Sequence, residues 1–144
     1  MAADAWVFHD RFLEFQGDNT IDMDNDTFVM ALFTSASNIA TTSVGDATTA
    51  TNEVTGSGYA RAALTTTWNR TGGTVTFDST DGSFTAAGGS ITARYAAIID
   101  TTTTPDEVVC HSLLDNTPAD VTVTDGNTLT VQINVGGIGT LSDV

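Results

Sequence analysis

The hydrophobic pattern of this chain changes period once. Ala5, Phe8, Phe12 and Phe15 recur at spacings of three and four, with Trp6 and Leu13 flanking that stripe. His9, Asp10, Arg11 and Glu14 fall largely on the other side. This period predicts an amphipathic helix of about three turns, with Asp4 as its N-cap and Gly17 ending it. Read as a strand, the segment would put Phe8 and Phe12 on one face with Asp10, Glu14 and Gln16, which disfavours that reading.

Beyond an acidic stretch, Asp18 to Asp26, the pattern turns to strands. Thr27–Thr34 (TFVMALFT) predicts a first buried strand. Ser35 to Ala50 is polar, small and without period, and predicts a long surface loop. Strand-like segments follow at Tyr59–Trp68, Thr74–Phe77, Ser83–Ala86, Ser90–Ile99, Glu107–Leu114, Val121–Thr124, Thr128–Val135 and Gly139–Ser142. Gly72-Gly73, Asp81-Gly82, Gly88-Gly89 and Asp125-Gly126 lie between them, the residue types that accept positive φ in tight turns. Thr128–Val135 alternates throughout, predicting one wet and one packed face. The expected fold is mainly β. It is a two-sheet sandwich or jelly-roll of about eight strands with a short N-terminal α-helix. Residues 1–17 would form the helix or arm and 18–144 a single β-sandwich domain.

Composition narrows the function. The 144 residues carry 4 Lys plus Arg against 18 Asp plus Glu, a formal net charge of −14. All four bases are arginine (Arg11, Arg61, Arg70, Arg94), and lysine is absent. Displacing counterions from nucleic acid needs clustered bases, and so does a polybasic membrane anchor; neither partner is expected. No apolar run approaches the ~20 residues that span a bilayer. Met1–Gln16 shows no basic leader, unbroken apolar stretch or small-residue cleavage site, so no secretory signal is predicted. A single cysteine, Cys110, excludes an internal disulfide and suits a reducing cytoplasm.

Few motifs carry chemistry. Asp22, Asp24 and Asp26 alternate as in a calcium loop, but Thr27 and Phe33 stand where an EF-hand needs Gly and Glu. A looser Ca²⁺ site or a turn set by Asp and Asn both remain open. Cys110 and His111 are neighbours that a strand points to opposite faces, so they cannot act as nucleophile and base. They read as a buried cysteine beside a surface histidine, and no ligand spacing joins His9 and His111 to a metal. Gly56-Ser57-Gly58 lacks the spacing of a nucleophile elbow. No catalytic residues or cofactor are expected, and no enzymatic activity. Gly56 and Gly58 permit a sharp bend, with Tyr59 starting a strand and pinning that corner through its ring and hydroxyl. The aromatic N-terminal helix either seals an open end of the β fold or docks on a partner. Trp6, Phe8, Arg11 and Phe12 are then the candidate partner contacts.

Several segments together resemble a family of small virion proteins of tailed bacteriophages. Ile21–Ser35 is similar to the family's opening, a short helix followed by an Asp/Thr-rich lead into the first strand. Asn52-Glu53-Val54-Thr55-Gly56-Ser57-Gly58-Tyr59 resembles its most distinctive run, Asn-Glu-Val-x-Gly-x-Gly-Tyr. Phe77–Thr85 resembles the segment that follows, with Phe84 where the family has tryptophan. Ile91–Asp100 and the close Gly136–Ser142 are similar to later family segments. The loop 35–50 departs from the pattern, being richer in Ala and Thr. The resemblance implies a β-sandwich head-decoration (cement) protein on the outer surface of the phage capsid, made in the host bacterial cytoplasm. It would bind the major capsid protein as a homo-oligomer, with a trimer expected from capsid symmetry. Two other virion roles remain open: a tail-tip or fibre module binding host glycans, and a head–tail joining or tail component. The acidic surface would face outward, and the four arginines, Arg11 above all, would be contacts with an acidic partner.

Overall fold

The structure is a computed structural model that describes residues 4–117 and 119–142. It is mainly β and antiparallel throughout. The strands are β1 (Val7–Phe8), β2 (Phe28–Phe33), β3 (Ala62–Ala63), β4 (Thr66–Thr71), β5 (Thr74–Ser79) and β6 (Gly82–Thr85). They continue as β7 (Ile91–Ala93), β8 (Tyr95–Asp100), β9 (Glu107–Leu113), β10 (Val121–Val123), β11 (Thr128–Val131) and β12 (Gly139–Ser142). The helix α1 spans Asp10–Gly17. The largest sheet runs β1-β9-β8-β2-β3, a second runs β12-β5-β4, and β10-β7 and β11-β6 form two-stranded ribbons.

The largest sheet is buried on both faces, which explains the unbroken apolar runs of β2 and β8. On one face Phe28, Met30, Leu32, Ala96, Ile98 and Cys110 join the main core. On the other, Ala31, Phe33, Ala97, Ile99 and Val108 form a second cluster with Ile39 and Val44. Those two residues belong to the segment expected to be surface loop. Ile39 is fully buried, so the loop covers the back of the sheet. Two apolar residues spaced five apart gave no period to detect. The register of β8 and β9 shifts between Ile98 and Ile99, leaving Val109 with no residue opposite it on β8. This bulge lets the successive residues Val109 and Cys110 both reach the main core.

Several boundaries differ from expectation. The N-terminal helix starts at Asp10, because Val7 and Phe8 pair with His111 and Cys110 as a strand. Asp4 is not its cap: its Oδ1 accepts from the adjacent Ala5 N–H, and His9 occupies the cap position without a side-chain bond. The segment Ser90–Ile99 divides at Arg94, where the chain leaves β10 and begins pairing with β2 and β9. In the alternating run 128–135 the ladder with β6 ends at Val131. Ile133 N–H then goes to Asp81 Oδ1, Gly137 N–H closes a turn on Asn134 O, and Val135 is left fully exposed.

Candidate functional site

A cavity of about 290 Å³ opens where α1 meets β12 and the β4-β5 hairpin, at the small end of the ~300–1,000 Å³ typical of ligand sites. Its walls include the rings of Phe8, Phe12, Trp68 and Phe77. Phe8 and Phe12 stack with centroids 4.7 Å apart, and Trp68 lies 6.2 Å from Phe77. The i, i+4 spacing that suggested one helical stripe instead joins strand to helix. Gly139 of β12 makes room for this, since a Cβ there would meet Phe8 Cε2 at 2.5 Å. Leu13 and Leu141, 65% and 43% exposed, also line the cavity. Asp10 is the one acidic lining residue; it is exposed and makes no ion pair among the described residues.

The candidate contacts occupy different layers. Trp6 and Phe12 are buried in the main core, at 9% and 3% exposure, so neither can be a primary surface contact. Trp6 was expected beside the stripe with room to stay exposed. It immediately precedes β1 and is buried instead, and its indole Nε1 has no acceptor among the described residues. Phe8 is half-buried and forms the cavity wall. Arg11 turns back on its own chain. Its guanidinium lies 3.2 Å from Glu107 and 3.9 Å from Asp46, and 4.5 Å from the Phe15 ring centre. Gly45 leaves the slot for it, since a Cβ there would collide with the Arg11 side chain. Arg61 pairs with Glu53 at 2.8 Å and Asp106 at 3.3 Å, and Arg94 with Asp120 at 2.7 Å. Three of the four arginines are therefore internal staples and not open contacts for an acidic partner.

Behind the cavity, His9 and His111 meet. His9 Nδ1 lies 2.5 Å from Val44 O, and its Nε2 lies 2.9 Å from His111 Nδ1. A carbonyl only accepts, so His9 carries its proton on Nδ1 and receives the His111 N–H on Nε2. Burial lowers the pKa of both rings, and His9 further opposes a charge on His111, which falls to about 4. His111 was expected at the surface. It is 7% exposed, because the covering loop 35–50 and the residues leading into α1 close over it. Cys110 points the opposite way into the main core, where burial raises its thiol pKa well above the ordinary value. The pair is a neutral structural clasp joining the α1 cap, the loop and β9.

The acidic run is likewise used for local structure. Asp22 Oδ1 accepts from the N–H groups of Asp24 and Asn25, and Asp26 Oδ2 accepts from Asp22 N–H at 2.7 Å. The Asn25 side chain bonds Asp22 and holds its pKa below the usual range. Asp22 and Asp26 come together as turn-closing acceptors. Among the described residues no group of three or more His, Cys, Asp or Glu is placed to hold a metal ion.

At the glycine corner, Gly56 and Gly58 both have φ +74°, flanking Ser57 at φ 51°. Tyr59 N–H donates to Gly56 O across the bend. The strand that Tyr59 was expected to start begins instead at Ala62. The Tyr59 ring stacks on Phe84 at 5.9 Å, its hydroxyl accepts from Leu32 N–H at 2.9 Å and donates to Glu53 Oε1 at 2.8 Å. The hydroxyl thus stands where β2 lacks a ladder acceptor, past the end of its pairing with β3. Burial disfavours the Glu53 carboxylate, but bonds from Arg61 and Tyr59 outweigh it and hold its pKa low.

Sequence reasoning missed Trp68, Phe77, Gly139 and Leu141 as partners of the N-terminal aromatics. Their signal was available only in part: Trp68 and Phe77 are large aromatics in short strands, but nothing local shows that β12 and β4-β5 meet α1. Comparisons with family models, curated proteins and solved structures find no match for the chain.

Proposed function

We propose that the protein is a capsid decoration protein of a tailed bacteriophage. It binds the outside of the assembled head and bridges neighbouring subunits of the major capsid protein. The β strands would form a two-sheet sandwich of the jelly-roll kind, and copies would assemble about a local threefold axis. The observation that carries this reading is the open aromatic cavity between α1 and β12. It gathers exposed apolar side chains on a chain with net charge −14 and inward-turned arginines. Such a surface offers an apolar place to dock and is otherwise repelled by packaged DNA. The ordered run of segments resembling phage virion proteins, led by Asn52–Tyr59, points the same way. A cement protein of this kind strengthens the shell by mass action, because it binds the assembled lattice and not free subunits.

Labelling virions with an antibody to this chain tests the proposal. Head-surface signal at hundreds of copies is expected. Heads stripped of the protein should lose thermal resistance and regain it when the protein is added back. A few copies at the tail end would overturn the reading in favour of an adhesion module, and ring assembly at the neck in favour of a head–tail component.

A further inference from the structure

We infer that the cavity between α1 and β12 is a receptor for a basic side chain of the partner, with a cationic head on an aliphatic stem. Three observations combine. Four aromatic rings, Phe8, Phe12, Trp68 and Phe77, wall the cavity, and ring faces attract a cation within about 6 Å of their centres. Asp10 is the only charged lining residue that faces solvent without an ion pair among the described residues. Leu13 and Leu141 supply aliphatic surface at the rim, which suits the methylene stem of lysine or arginine.

No basic side chain among the described residues fills this role. It has no lysine, and Arg11, the arginine nearest in sequence to Asp10, is held by Glu107 and Asp46. His9 also lines the cavity, but both ring nitrogens are engaged and the ring is neutral. The net charge of −14 favours approach of a basic segment and opposes a second copy of the same chain. The identity of the partner as a capsid subunit rests on the decoration reading above; the chemistry of the cavity does not.

The probe is n-butylammonium, which reproduces a lysine stem and head, with 1-butanol as a neutral guest of the same heavy-atom count. The intact protein is titrated with each at constant ionic strength while the Trp68 indole N–H is followed by NMR. Butylammonium should bind more tightly than 1-butanol, by about two- to fivefold for one exposed cation–ring contact and by more with the Asp10 charge beside it. Asp10→Asn should reduce that preference to the part the rings carry while leaving 1-butanol binding unchanged. Equal or tighter binding of 1-butanol would show a purely apolar cavity and overturn the inference, as would no response to either guest. A Trp68 signal that moves with protein concentration alone would place a second copy there and also overturn it. If butylammonium binds but the protein never reaches phage heads, the decoration reading fails and the cavity assignment stands. If heads are bound equally by the Asp10→Asn and Trp68→Leu variants, the cavity is not the docking point.

Discussion

Tyr59→Phe removes one oxygen and tests how the glycine corner holds β2. The hydroxyl accepts from Leu32 N–H and donates to Glu53. Leu32 is fully buried, so its N–H would be left without an acceptor; a buried orphan donor costs about 1–3 kcal/mol. Glu53 keeps both bonds from Arg61, so its lost bond adds only about 1 kcal/mol. The stack on Phe84 survives, because it needs only the ring. The expected loss is about 2–4 kcal/mol, equivalent to a Tm lowered by about 6–12 °C for a domain of this size. Urea unfolding followed by tryptophan fluorescence should show a lower midpoint at unchanged slope, the mark of a stability change without altered compactness. Repeating the substitution in a Glu53→Gln background separates the two bonds. If Leu32 carries the cost, most of the loss persists there. A loss below about 0.5 kcal/mol in the wild-type background would refute the assignment, showing that another acceptor reaches Leu32 N–H.

Three further outcomes follow from the same geometry. Gly126 and Gly137 share φ values of +78° and +79°, but a Cβ at Gly126 meets nothing within 4 Å while one at Gly137 meets Phe77 O at 2.6 Å. Thermal unfolding should therefore show Gly126→Ala costing about 1–2 kcal/mol and Gly137→Ala clearly more; equal losses would mean that backbone conformation alone matters. The His9–His111 clasp has ring pKa values below the ordinary 6.5 of histidine, with His111 at about 4. Its contribution is complete above about pH 6.5 and is lost as pH falls from there through about 4. An NMR titration giving His111 a midpoint at or above 6.5 would contradict a buried neutral clasp. Asp100 titrates the opposite way: burial first, and then the neighbouring Asp26, raise it from 3.8 to about 6, and its Oδ2 has no donor among the described residues. Its charge is thus a liability that sets in as pH rises above about 3.8 and is complete above about 6, worth up to about 3 kcal/mol at neutral pH. Asp100→Asn should stabilise the protein at pH 7 and leave it nearly unchanged at pH 4, as read by denaturant midpoints at the two values.

The β character of the chain was legible because strands bounded by glycine turns leave a strong local signal, and the Gly72-Gly73 hairpin joins β4 to β5 with Thr71 opposite Thr74. Partner exchange left no such signal. Arg94 sits within one apolar-alternating run, yet the ladder on one side of it belongs to β10 and on the other to β2 and β9. Nothing local distinguishes those partners. The N-terminal segment misled for a related reason. Trp6 and Phe8 alternate around exposed Val7 as a strand requires, but two strand residues are too few to outweigh a helical spacing that extends through Phe12 and Phe15. Long-range pairing with Cys110 and His111 overrides that local preference.

Charge was the feature most altered by three dimensions. Four arginines among eighteen acids look, in sequence, like the few points where an acidic partner could hold on. In the fold, Arg11 spans α1, the covering loop and β9, Arg61 ties the glycine corner to Asp106, and Arg94 marks the strand exchange. Each neutralises acids that would otherwise repel across the same junction, and Glu107 is the clearest case: burial and Asp46 both push its pKa up, and Arg11 alone opposes them. Arg70 is the one arginine with no ion pair among the described residues, on the exposed edge strand β4. Because three of the four arginines are spent on folding, a partner of the kind proposed would have to supply the bases that complement this acidic surface. Loss of the Arg11 pairs should therefore lower stability before it changes docking. Arg11→Met should shift the urea midpoint downward while any binding by the folded fraction persists. A variant of wild-type stability with abolished docking would reverse that order and return Arg11 to the interface.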